Sequence, residues 1–285
     1  MNIDLSPIIT AAERANPPAP GDYPSDGLLY CGRCHTPKQM QLEFCGQITI
    51  VPCTCQCATR TYALEQKKKT ERERMAYIEQ LPIQGIQDRS ISGCTFASAA
   101  TSTELDKLEK YATNWIPALE KNLGLLLWGG PGNGKTFGMA CIVNELKKQG
   151  VPVLMTSFPR ILSAVTGLFQ EERTTYLDSL GHFDFLAIDD MGVERSSDFA
   201  REIVYYVIDA RYKCHKPLII TTNLTLDKLK NPPNMDYGRI YDRVFEMCQP
   251  IYFNGESKRP AKATAKLAIL QKLLSDEKVI TAQRQ

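Results

Sequence analysis

The sequence predicts an α/β protein: five parallel strands wound around a phosphate-binding loop, preceded by a small cysteine-rich module and a helical linker. Three stretches carry that expectation. Gly129-Gly130-Pro131-Gly132-Asn133-Gly134-Lys135-Thr136 fits G-x-x-x-x-G-K-[ST] and stands between an apolar run, 123–128, and a helix-compatible stretch, 135–149. Further on, the apolar run 183–188 ends in Asp189-Asp190, as a buried strand does when it delivers acidic ligands at its carboxyl end. Finally, six of the ten cysteines crowd between Cys31 and Cys57.

In chain order, the first thirty residues, with Pro17-Pro18-Ala19-Pro20-Gly21, read as a loosely ordered arm. The cysteines follow as Cys31-Gly32-Arg33-Cys34, then Cys45, then Cys53-Thr54-Cys55-Gln56-Cys57. A C-x-x-C knuckle supplies two thiolates from one turn, and a second cluster completes a tetrahedral Zn²⁺ site. In a segment so poor in large apolar residues, the metal substitutes for a missing core. Cys31 and Cys34 are firm ligands; two of Cys53, Cys55 and Cys57 complete the set, with His35 and Cys45 as outside candidates. Cys94, Cys141, Cys214 and Cys248 read as small core residues. Residues 58–80 carry alternating charge, including Lys67-Lys68-Lys69, and read as an exposed helix. Leu81-Pro82 ends it, which assigns 1–80 to the zinc-binding module with its linker and 81–285 to the nucleotide-binding domain.

Within 81–285, strands are expected at 123–128, 151–157, 183–189, 217–222 and 251–253. Helices are expected at 135–149, at 160–170, across Phe199, Ile203, Tyr206, Val207 and Ala210, and at 261–275. Such alternation after a phosphate loop means a parallel sheet covered on both faces. Backbone N–H groups from Gly129 to Phe137, Pro131 excepted, converge on the phosphates of ATP, and the helix N-terminus adds its partial positive charge. Lys135 is placed to reach the β- and γ-phosphates, Thr136 and Asp189 to hold Mg²⁺, and Asp190 to polarise the attacking water. Asp190 is one methylene shorter than a glutamate, which points to slow hydrolysis. The strand 217–222 leads into Asn223, which either faces the γ-phosphate or caps the next helix. No N-K-x-D guanine-reading motif and no ABC signature is present.

Composition narrows the class further. A net charge of +2 excludes a global basic field, so any nucleic-acid contact must be local. No run of about eighteen apolar residues exists to span a membrane. Met1-Asn2-Ile3-Asp4-Leu5 lacks the basic start and apolar core of a secretory signal, so the cytoplasm is expected.

From about Leu81 to Arg259 the chain resembles bacterial replicative helicase loaders of the DnaC/DnaI type, which are AAA+ P-loop NTPases, with the transposition protein IstB as a close cousin. The resemblance lies in residues 129–136, Ile188-Asp189-Asp190-Met191-Gly192, Thr221-Thr222-Asn223, Arg239-Ile240-Tyr241-Asp242-Arg243 and Phe253-Asn254-Gly255-Glu256-Ser257-Lys258-Arg259. It implies that Asn223 is sensor 1 and that Arg259 is sensor 2. Arg243 becomes the finger that reaches a neighbouring subunit's γ-phosphate, with Arg239 in support. A guanidinium suits that role because it offers phosphate a permanently charged planar fork. The resemblance also selects Cys55 and Cys57 beside Cys31 and Cys34, and gives the 157–181 crossover, with Arg160 and Arg173, a share in single-strand binding.

The implied function is an ATPase that loads a hexameric DnaB-type replicative helicase onto single-stranded DNA. Its cofactors would be ATP, Mg²⁺ and Zn²⁺, and its copies would assemble through ATP-bridged interfaces. IstB-type proteins lack such a cysteine module, which places a transposition regulatory ATPase second. A zinc-ribbon nucleic-acid-binding regulator with a degenerate nucleotide-sensing domain stands third, against intact Lys135, Thr136, Asp189 and Arg243.

Overall fold

The computed structural model describes residues 17–275, apart from 45, 82, 84–88, 100–101, 194–196, 233, 256 and 258. The chain divides into two compact units, Met1–Glu79 and Gln80–Gln285.

Of the loose arm expected over the first thirty residues, 1–16 lie outside the described residues, and 23–30 form a hairpin instead. β1 (Tyr23–Ser25) pairs antiparallel with β2 (Leu28–Tyr30) around Asp26-Gly27, both at positive φ (53° and 74°). Asp-Gly is the dipeptide that a two-residue turn of this hand demands, so the signal was present in the sequence. Tyr23 and Tyr30 stack across the strands, ring centroids 5.9 Å apart. Lys38 anchors what precedes the hairpin: its buried ammonium donates to Asp22 Oδ2 at 2.7 Å and to the Pro17 carbonyl at 2.6 Å. A second hairpin, β3 (Gln39–Phe44) with β4 (Gln47–Pro52), leads into α1 (Gln56–Gln80), none of whose side chains is buried.

The second unit opens with α2 (Arg89–Ser92), a 3₁₀ turn at Phe96–Ser98, α3 (Thr103–Thr113) and α4 (Trp115–Glu120). There follow β5 (Gly124–Trp128), α5 (Lys135–Lys148), β6 (Val153–Ser157), α6 (Phe158–Val165), α7 (Gln170–Ser179) and β7 (Phe185–Met191). The unit closes with α8 (Asp198–Lys213), β8 (Leu218–Thr222), α9 (Leu226–Lys230), α10 (Met235–Met247), β9 (Cys248–Tyr252) and α11 (Arg259–Ser275). The sheet runs β6-β7-β8-β5-β9, every neighbouring pair parallel. Side-chain caps start the helices where the sequence offers them: Ser102 accepts from Leu105 N–H, Ser197 from Ala200 N–H, and Asn234 from Tyr237 N–H.

Strand alternation sorts the core into two layers. Leu125, Leu127, Phe185 and Ile219 join Leu108, Trp115, Met139 and Ile142 in one cluster against α3 and α5. On the other side α8 packs against α10, burying Ile203, Val207, Ile240 and Val244. Arg211 of α8 is 1% exposed and gathers the carbonyls of Phe183 (2.7 Å), Asp184 (2.6 Å) and Pro217 (2.7 Å), where β7 and β8 begin.

The five-stranded parallel α/β sheet is as expected; several details differ. The helix expected at 160–170 is two helices, because Gly167 at φ 85° reverses the chain between α6 and α7. β7 runs on through Asp190 to Met191 instead of stopping at Asp189. β9 starts at Cys248, directly from α10, and its Pro250 is tolerated because this is an edge strand. Cys94, Cys141 and Cys248 are core residues, but Cys214 is exposed, since it caps the C-terminus of α8.

Candidate functional site

The loop from Gly129 to Gly134 leaves the carboxyl end of β5 and enters α5. It bends at Gly129, Gly132 and Gly134, whose φ values are 143°, 84° and 97°. At Gly129 glycine is required twice over: a Cβ there would also meet the Phe253 carbonyl oxygen at 2.5 Å. That same carbonyl accepts Asn133 Nδ2 at 2.7 Å, while Phe253 N–H donates to the Trp128 carbonyl at 2.8 Å. The residue after β9 is thereby stapled to both ends of the loop. Asn133 Oδ1 is buried with no partner among the described residues.

Lys135, 5% exposed, donates to the carbonyls of Gly129 (3.0 Å) and Gly130 (2.7 Å) and to Asn223 Oδ1 (2.8 Å). Asn223 Nδ2 in turn lies 3.5 Å from Asp190 Oδ1. Because β8 lies between β5 and β7, its end carries Asn223 into the gap between the loop lysine and the acidic pair. Thr136 Oγ1 donates to Asp189 Oδ1 at 2.9 Å, and Thr221 Oγ1 donates to the same oxygen at 2.6 Å. Burial pushes the Asp189 carboxyl above its ordinary range, opposed by those two hydroxyls and by the charge of Lys135. A hydroxyl beside a partly buried carboxylate is a hard oxygen set, and the residues fit Mg²⁺, which would offset the burial of that charge.

A cavity of about 790 Å³ opens over this network, within the size range of small-molecule sites. Residues 131–137, Asp190 and Asn223 form its floor; Ser98, Ser102 and Glu104 contribute from the upstream helices, and Phe253 to Gly255 close the far side. The upstream wall went unread in the sequence, because nothing in Ser98 to Leu105 marks it apart from an N-cap serine. Arg243 is not part of the lining. On α10 it forms an ion pair with Asp209 (2.8 Å) and lies over the rings of Tyr205 and Tyr212, 4.7 and 5.7 Å from their centroids. Arg239, one turn earlier, is exposed. Arg259 begins α11, and its side chain lies outside the described residues. Of the crossover arginines, Arg160 is exposed, whereas Arg173 is drawn over the Phe199 ring at 4.9 Å and bonded to the Leu168 carbonyl.

In the first unit, the Sγ atoms of Cys31, Cys34, Cys55 and Cys57 lie within 4.8 Å of one another. Cys55 and Cys57 are 3.4 Å apart, and Cys31 and Cys57 3.6 Å. A zinc tetrathiolate with Zn–S bonds of about 2.3 Å has S···S edges of about 3.8 Å, so the set fits the metal. Backbone N–H groups of Cys34 and Arg33 hold Cys31 below the usual thiol range, and the Thr36 hydroxyl takes Cys34 down to about 5. Hydrogen bonding with the Cys55, Cys34 and Cys31 thiols pushes Cys57 up to about 12, so the four sulfurs share protons that a divalent cation would displace. Cys53 points away, its thiol 3.5 Å from the Pro37 carbonyl, and His35 bonds Tyr23. Cys45 lies outside the described residues.

A family model described as "IstB-like ATP binding protein" matches residues 63–266. The chain belongs to that family. The cysteine cluster lies ahead of the matched residues. The replicative helicase loader DnaC of Escherichia coli K12 is 28% identical over 175 residues, 58% of this chain and 69% of DnaC. The replicative helicase loader DnaI of Bacillus subtilis 168 is 23% identical over 219 residues, 72% of this chain and 68% of DnaI. A crystal structure of DnaI superposes with a TM-score of 0.52 at 23% identity, covering 59% of this chain and 95% of that one. One of the DnaC helicase loader gives 0.51 at 22% identity, covering 59% and 100%. The five-stranded parallel sheet is thus the AAA+ arrangement of those loaders, in a family of ATP-binding proteins. No helix among the described residues is long and apolar enough to cross a membrane.

Proposed function

We propose that this chain is an ATPase that loads a hexameric DnaB-type replicative helicase onto single-stranded DNA in the cytoplasm. One observation carries the proposal: Asn223 bridges Lys135 and Asp190 at the floor of one cavity, while Thr136 on the same floor meets Asp189 beneath it, in a chain similar to DnaC and DnaI. In this reading Lys135 neutralises the β- and γ-phosphates, Thr136 and Asp189 hold Mg²⁺, and Asp190 with Asn223 orients the attacking water. Mg²⁺ supplies charge neutralisation on the phosphates. Arg243 serves a neighbouring copy's nucleotide, in keeping with its place away from its own cavity. Zn²⁺ on Cys31, Cys34, Cys55 and Cys57 orders the first unit, which grips the helicase. Arg160 is the better placed of the two crossover arginines for single-strand phosphates.

ATP turnover should be measured with and without single-stranded DNA, together with co-elution of a hexameric DnaB-type helicase from size exclusion. Co-elution and turnover that disappears in Lys135→Ala support the proposal. Intact turnover in Lys135→Ala would remove the nucleotide assignment. Capture of a transposase without a helicase would favour the transposition reading. Arg243→Ala should keep nucleotide binding and lose assembly-dependent hydrolysis by about 10³-fold or more, with partial rescue on mixing with Lys135→Ala.

A further inference from the structure

We propose that Thr221 is the positioning residue of the acidic pair, setting the Mg²⁺ affinity of the site through Asp189; this rests on Asp189 being the Mg²⁺ ligand. The register between β7 and β8 pairs Ile188 with Ile220 and then Met191 with Thr222, so that Asp189 and Asp190 together oppose Thr221. Two residues against one is a β-bulge, and a bulge re-aims side chains that strict alternation would send to opposite faces. Asp190 carries the strain, at φ 55°.

The Thr221 hydroxyl stands in for the lost ladder bonds. It accepts Asp190 N–H at 2.8 Å, which leaves its own proton for Asp189 Oδ1 at 2.6 Å. A single hydroxyl therefore fixes the peptide of one acid and the carboxylate of the other. Thr221 is wholly buried, so no water can replace it. Next to it, Thr222 Oγ1 donates to the Met191 carbonyl at 2.7 Å and closes the bulge from the other side. The second oxygen contact of Asp189, to Thr136, ties this arrangement to the phosphate loop. Asp189 is thus aimed by a strand that carries no acidic group itself.

Thr221→Val keeps the shape, the branching and the burial, and removes the hydroxyl. In the full chain, binding of a fluorescent ATP analogue in EDTA should stay at the parental value. The Mg²⁺ concentration needed to reach half-maximal tightening of that binding should rise about 10–100-fold, the usual effect of losing a partner behind a metal ligand. Turnover at saturating ATP should fall, with KM for ATP at saturating Mg²⁺ little changed, and Thr221→Ser should restore the Mg²⁺ response. Parental Mg²⁺ dependence in Thr221→Val overturns the proposal, and so does equal loss of nucleotide affinity with and without Mg²⁺. If Thr221→Val does not fold, Thr221→Cys, a weaker donor, must show an intermediate shift for the proposal to stand. Asp189→Asn separates the two levels: if it too leaves the Mg²⁺ response unchanged, the metal assignment itself fails.

Discussion

Trp115, Leu126, Phe185 and Ile219 are shut away from solvent in Gln80–Gln285, whereas the buried side chains among the described residues of Met1–Glu79 are Cys31, Cys55 and Lys38. Met40, Leu42, Ile48 and Ile50 of the β3–β4 hairpin stay exposed. One unit is held by a sheet with helices on both faces; the other has two hairpins, a buried ion pair and four converging thiols. A segment that cannot bury enough apolar area must take its order from directional contacts, and these are few, so each matters more.

Removing the metal should separate the units most widely. Binding of structural zinc is worth about 10–16 kcal/mol in small domains, so chelation should unfold the first unit and leave the melting of the second in place. Elemental analysis should find about one Zn²⁺ per chain. A metal-free protein with an intact first unit, or a shared melting transition, would break the contrast. Next in size, Phe185→Ala should destabilise the second unit by about 3–5 kcal/mol and leave zinc content alone, read by thermal melting.

A smaller effect belongs to the ion pair of the first unit. Lys38, then the N–H groups of Ala19 and Gly32, lower Asp22 from the ordinary 3.8 to about 2. A carboxylate held lower in the folded state stabilises it above the ordinary value and loses that contribution as pH falls through the folded one. The first unit should thus weaken between about pH 4 and pH 2. Asp22→Asn should flatten that part of its profile relative to the parent, followed by circular dichroism. The smallest effect is expected on α1, where Glu71→Ala removes an exposed pair with Arg74 and should change stability by no more than about 0.5 kcal/mol.

Legibility in the sequence followed how local each constraint is. The phosphate loop, the acidic strand end and the strand–helix alternation are local patterns, and the sheet they imply is the one found. The bulge at Asp189-Asp190 is not, because it depends on what Thr221 opposes across the sheet. Nor does spacing alone separate Cys53 from Cys55 and Cys57. Cys53 is withdrawn because its backbone N–H pairs with the Lys38 carbonyl at 2.7 Å, a contact between segments. The Asp26-Gly27 hairpin was legible and was masked by the proline-rich stretch before it. The cavity wall at Ser98, Ser102 and Glu104 depends on how α3 folds back over α5, for which no short motif exists.

The staple at Phe253 has a consequence for how the protein is made. The loop that it closes lies far upstream: the Asn133–Phe253 bond spans 120 residues. A chain leaving the ribosome N-terminus first can pair β7 with β8 and β8 with β5 well before β9 emerges. Through that interval the phosphate loop lacks the carbonyl that Asn133 needs and the N–H that caps β5 at Trp128. Nascent chains cut short of β9 therefore carry the whole phosphate-loop sequence without its closing contact. The closing contact of the phosphate loop is thus made only once nearly all of the second unit has been translated.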